Sequence, residues 1–109
     1  MANYVFIESR DPFESPDTSF VLDTAASLKK RGNNVTVFLV QNGVLAARKE
    51  ARRSHVAQLL DNGVTVLADD FSLHERGIQP DEFQNTIKTS SIDHLVDLLV
   101  QENTKAIWH

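Results

Sequence analysis

Val35-Thr36-Val37-Phe38-Leu39-Val40, followed at once by Gln41-Asn42-Gly43, decides the fold. A strand with one wet face alternates apolar and polar residues. This run is continuous instead, the pattern of a strand covered on both faces, as in parallel sheets packed between helices. Upstream, Tyr4-Val5-Phe6-Ile7 is a second short β-branched and aromatic run, stopped by Glu8-Ser9-Arg10-Asp11-Pro12. Between the two strands, Ser15 offers an N-cap, Pro16 a first helical residue, and Asp17 a negative charge at the positive helix end. Phe20, Val21, Ala25 and Leu28 then recur at helical spacing until Lys29-Lys30-Arg31-Gly32, which suits a helix C-terminus with a left-handed cap.

Downstream, Val44 to Asp61 reads as one helix closed by Asn62-Gly63, and Val64-Thr65-Val66-Leu67-Ala68 as a third strand. Asp69 to Gly77 reads as a loop passing into a short helix, and Asn85 to Thr89 as a short strand. Ser90 with Asp93 resembles a capping box ahead of an apolar stripe at Ile92, Leu95, Val96 and Leu99, in a helix ending near Asn103. Lys105-Ala106-Ile107-Trp108-His109 reads as a final strand tied into the sheet. Strands separated by crossover helices pair in parallel with right-handed connections. The expected fold is therefore an α/β, three-layer α/β/α sandwich with a mainly parallel sheet of about five strands, of flavodoxin- or Rossmann-like topology. With 109 residues, 41% of them hydrophobic, the expectation is one domain over residues 1–109.

The chain contains no cysteine, so it has no disulfide, thiolate nucleophile or thiolate metal ligand. Its formal net charge of −4 argues against nucleic acid as a partner, because phosphate binding depends on Lys and Arg releasing counterions. Arg48, Lys49, Arg52 and Arg53 form a basic face at helical spacing, which reads as a solvated surface beside the alternative of an RNA or acidic partner. No apolar run approaches the roughly 20 residues a membrane helix needs. The start of the chain lacks a leader pattern, and a cytoplasmic location is expected.

In an open parallel sheet, ligands bind beyond the carboxyl ends of the strands. That rule selects the loops Glu8 to Asp11, Gln41 to Val44 and Asp69 to His74. The candidate pocket comprises Arg10, Asp11, Gln41, Asn42, Asp69, Asp70, Ser72 and His74. Asp69 and Asp70 have two readings: a helix cap, or a cation ligand or general base. His74 beside Glu75 reads as an acid or base, or as a solvated surface residue. His55, His94 and His109 lack ligand spacing, so no metal site is expected. No glycine-rich phosphate motif follows any strand, so no cofactor is expected either. Core packing is the default for Trp108, Phe71 and Phe13, and exposure of any of them would mark a contact surface.

Taken in order, the N-terminal strand, Phe38-Leu39-Val40-Gln41-Asn42-Gly43-Val44, Gly63-Val64, Glu75-Arg76-Gly77-Ile78 and the terminal unit from Ser90 to Trp108 resemble the DsrE/DsrF-like family over nearly the whole chain. In sulfur-relay members of that family, a cysteine after the third strand carries sulfane sulfur as a persulfide. Counting back from Arg76-Gly77 places that position at or close to Asp69, or a few residues on, toward Ser72. Neither residue forms a persulfide, so sulfurtransferase activity is not expected. The resemblance implies homo-oligomers or mixed assemblies with related DsrE-like subunits, some of which lack the reactive cysteine. The expected role is a non-catalytic binding or assembly subunit related to sulfur-relay complexes. The alternative is a small-ligand-binding protein or enzyme using the loop of Asp69, Asp70 and His74.

Overall fold

The computed structural model describes residues 1–51, 56–84 and 87–109. Five strands, β1 (Asn3–Glu8), β2 (Asn34–Leu39), β3 (Thr65–Asp69), β4 (Lys88–Ser90) and β5 (Thr104–Trp108), form one sheet in the order β4-β3-β2-β1-β5. Every pairing in the sheet is parallel. The continuous run of β2 lies at the centre, where Val37 and Phe38 point to opposite faces and are both fully buried. Residues 39, 8 and 68 are aligned across β2, β1 and β3, which brings three strand tips to one rim.

The two faces are covered unequally. On one, Phe6, Val35, Val37, Leu39, Val66 and Ala68 pack into a large core with α1 (Thr18–Lys30) and α2 (Val56–Asp61). On the other, Val5, Ile7, Phe38, Val40 and Leu67 meet Leu95, Leu98 and Leu99 of α4 (Ile92–Leu99). The short α3 (Asp70–Glu75) follows directly from β3. Among the described residues no helix is long and apolar enough to cross a membrane.

Local signals misplace some boundaries. The cap of α1 falls on Asp17, whose side chain makes no capping bond, rather than on Ser15. Ser15 closes a preceding turn instead, its carbonyl accepting from the Thr18 amide at 3.0 Å. The cap of α4 is Ser91, not Ser90, and its hydroxyl accepts from the His94 amide at 3.3 Å. That helix also ends at Leu99, short of the expected Asn103.

The largest departure is at residues 44–61, expected as one helix. Gln41–Ala47 and Lys49–Ala51 form 3-10 turns, and among the described residues of this stretch α-helix covers Val56–Asp61. Tertiary bonds take the backbone groups that a continuous helix would use. Arg48 is extended and bridges Phe83, and Gln84 donates its amide to the Ala47 carbonyl at 2.8 Å and its side chain to the carbonyls of Ala46 and Arg48. Arg48 itself is half-buried, with Nε donating to the Leu45 carbonyl at 3.0 Å. Arg52, Arg53 and His55 lie outside the described residues, as do Asn85 and Thr86 of the expected fourth strand, which is observed at Lys88–Ser90.

Candidate functional site

Where β3 ends, Asp69 becomes the N-cap of α3 and is only 5% exposed. Its Oδ2 accepts from the Ser72 amide at 3.0 Å and from the Ser72 hydroxyl at 2.7 Å. The same hydroxyl accepts from the Gln41 amide at 2.9 Å. Gln41 reaches that position with φ of 50°, a left-handed conformation that costs a non-glycine residue about 1–2 kcal/mol. Asp69, Ser72 and Gln41 thus clamp the tips of β3 and β2 together. As chemistry the clamp is quiet. The Ser72 proton is already given to a carboxylate, and among the described residues no histidine is hydrogen-bonded to the hydroxyl to activate it.

The clamp forms one wall of a cleft of about 270 Å³, in which Gln41, Asp69, Ser72 and Glu75 supply the polar lining. Ile7, Val40, Ile92 and Leu95 supply the apolar lining, together with the rings of Phe71 and Trp108. Both rings are 65% exposed, so neither follows the core-packing default. Phe13 is exposed as well.

The other candidates separate by helical geometry. Because residues 70–75 are helical from the outset, Asp70 and His74, four apart, share one side of α3, while Phe71 and Glu75 share the next. Asp70 and His74 border a different hollow of about 180 Å³ with Ile78, Gln79 and Phe83. Asn42 is also apart from the cleft, its Oδ1 accepting from Arg76 Nε and Nη2, both at 3.1 Å. Arg10 and Asp11 do not line the cleft. The Arg10 amide donates to Glu8 Oε2 at 3.3 Å, and Asp11 Oδ1 accepts from the Phe13 amide at 3.0 Å within its own turn.

A second cluster, absent from the sequence-based candidates, stands at the tip of β1. Glu8 is 2% exposed, and its two carboxylate oxygens lie 2.8 and 2.9 Å from His109 Nδ1. His109 Nε2 lies 3.1 Å from Asp17 Oδ2. Burial raises the Glu8 pKa above its ordinary 4.5, although the hydrogen bonds from His109 and the Arg10 amide oppose it. Burial also pulls His109 down, but the hydrogen bonds to Glu8 and Asp17 outweigh it, and the net pKa lies above 6.5. The His109 hydrogen bond holds Asp17 below 3.8. With both ring nitrogens facing carboxylates, His109 acts as a tie between β5, β1 and the start of α1. The sequence signal was weak, since Glu8 and His109 stand 101 residues apart. Only a polar residue directly ending a buried strand hinted at it.

Among the described residues, no three His, Asp or Glu side chains converge as a metal would require.

The fold has solved counterparts. The ychN protein from E. coli superposes with a TM-score of 0.88 at 15% identity, with all of both chains covered. A protein of unknown function from Methanobacterium thermoautotrophicum gives 0.81 at 19% identity, again over all of both chains. A conserved protein of unknown function from Bacteroides thetaiotaomicron gives 0.79 at 18%, covering 99% of this chain and 95% of its own. At such identities the likeness establishes the fold alone. Comparison with curated proteins gives no match. The family model of the DsrE/DsrF-like proteins, however, matches residues 2–105, from β1 to the start of β5, and the chain belongs to that family.

Proposed function

We propose that this chain is a binding or assembly subunit of the sulfur-relay type that carries no sulfur itself. Family membership and the absence of cysteine support the second half of that reading. Near the family's carrier position stand Asp69 and Ser72, whose polar groups are bonded to each other. The observation that carries the first half is an apolar surface without cover. Ile92, Val96 and Val100, spaced by four, line one side of α4 and its C-cap and are 54%, 51% and 74% exposed. Trp108 is exposed on β5, an edge strand paired only with β1. Exposed apolar residues in such a group mark an interaction surface, and an unpaired strand edge adds backbone groups that a second chain can use.

Size-exclusion chromatography with light scattering tests the reading. The wild type is expected to run as an oligomer, or to join a related DsrE-like subunit, and Ile92→Asp with Val96→Asp to yield a folded monomer. A wild-type monomer that captures no related subunit overturns it.

A second reading, a small-ligand protein, is favoured by the cleft at the Asp69 rim. On this reading Asp69 acts in the cleft without Asp70 and His74, which border the separate hollow.

A further inference from the structure

The cleft between the β1, β2 and β3 tips and the start of α4 has a sharply biased chemistry. Asp69 is 5% exposed as a residue and accepts both of its side-chain hydrogen bonds on Oδ2. Its Oδ1 has no hydrogen-bond partner among the described residues. Glu75 adds a second carboxylate to the lining, and among the described residues no Lys, Arg or His lines the cleft. Arg76, next in sequence, is engaged with Asn42 Oδ1 and with the Ser72 carbonyl at 3.1 Å. Gln41 and Ser72 complete the polar lining, and the remaining walls are apolar, two of them the exposed side chains of Phe71 and Trp108.

Each class of small ligand meets this lining differently. An anion would face two carboxylates, and the Ser72 amide at the start of α3 already donates to Asp69. A neutral apolar molecule would cover the walls but remove water from a carboxylate oxygen that has no other partner, which is costly. A metal ion would lack a converging set of ligands among the described residues. An ammonium group on an aromatic or alkyl body satisfies all three features. Its N–H groups donate to Asp69, the charge is attracted to the ring faces, and the body displaces water from the apolar walls.

We propose that this cleft is a binding site for a small organic cation, an aralkyl- or alkylammonium, anchored by Asp69 and flanked by Phe71 and Trp108. The proposal rests on the ligand-binding reading of the cleft and not on the assembly reading, although Ile92 and Trp108 serve both surfaces.

Trp108 is the sole tryptophan of the chain, so its fluorescence reports occupancy directly. The test titrates the full chain with 2-phenylethylammonium, the neutral 2-phenylethanol and the anionic 3-phenylpropanoate. Far-UV circular dichroism of every variant and light scattering of every sample accompany the titrations. A saturable fluorescence change is expected with the amine, at least about tenfold tighter than with the alcohol or the carboxylate, the size of one charge-assisted hydrogen bond. Asp69→Asn keeps a capping side chain and is expected to weaken the amine by about tenfold while leaving the alcohol within about twofold. Glu75→Gln, at an exposed position, is expected to weaken the amine by about twofold to threefold, and it decides the matter if Asp69→Asn does not fold.

Preferential binding of the alcohol or the carboxylate overturns the cation assignment while leaving a ligand site. Absence of binding by all three overturns both. Amine binding unchanged in folded Asp69→Asn removes the proposed anchor, and, where that variant is unfolded, amine binding unchanged in Glu75→Gln removes the carboxylate attraction on which the cation assignment depends. Binding by a monomer counts against assembly alone.

Discussion

At the scale of single residues, the tie through His109 sets a pH dependence that composition does not suggest. The folded state raises the His109 pKa above 6.5, because Glu8 and Asp17 hold the imidazolium. A proton held more tightly in the folded state contributes stability fully below pH 6.5, and this is lost as pH rises through the folded value. Glu8, also raised, acts in the same direction above 4.5, and Asp17, lowered, loses its share as pH falls below 3.8. Urea midpoints of the wild type should therefore fall as pH rises through the His109 titration. His109→Ala should lose that component, and Glu8→Gln should lower the His109 pKa in an NMR titration. A His109 resonance that titrates at or below 6.5 in the folded protein would contradict the tie. Of the pocket residues named from sequence, the structure brings Gln41, Asp69 and Ser72 together in one cleft, whereas Asp70 and His74 border another hollow. The strand-tip rule finds the rim, but the exact phase of a helix begun at Asp70 decides which side chain faces which hollow.

At the scale of elements, the segment after β2 shows tertiary contact overruling local preference. Gly43 approaches the β1 backbone so closely that a Cβ would collide with the Glu8 carbonyl. That carbonyl also accepts from the Val40 amide at 2.9 Å, and the Gly43 amide donates to the Val40 carbonyl at 2.8 Å. Gly43→Ala is expected to destabilise the protein by about 1–3 kcal/mol, since backbone on both sides has to move. Urea unfolding measures this, and a change within about 0.5 kcal/mol would show that the segment is free to shift. Helix α4 teaches the complementary lesson. Ile92, Leu95, Val96 and Leu99 look like one core-facing stripe, yet Leu95, Leu98 and Leu99 face the sheet, while Ile92 and Val96 remain exposed. A short helix that is apolar on several sides can press only one of them against a single sheet face.

Across the whole molecule, the sheet order places β2 and β1 inside and leaves β5 at an edge with one neighbour. Amide hydrogen exchange in the dispersed chain should be slowest in β1 and β2 and fastest, among these three strands, in β5. Equal protection of β5 and β2 would mean that its edge is covered, as assembly would produce. The sequence by itself determined the layered α/β architecture and the absence of a cysteine that could carry a persulfide. The first follows because strands buried on both faces must be apolar without interruption, as Val35 to Val40 are, and the second matters because no other side chain substitutes for a thiol. Only the tertiary structure decided that Glu8 meets His109, that Gln41–Ala47 and Lys49–Ala51 turn in 3-10 form on either side of an extended Arg48, and that one side of α4 stays uncovered. Those outcomes depend on contacts between groups distant along the chain, and local propensity, which acts over one or two helical turns, carries no record of them.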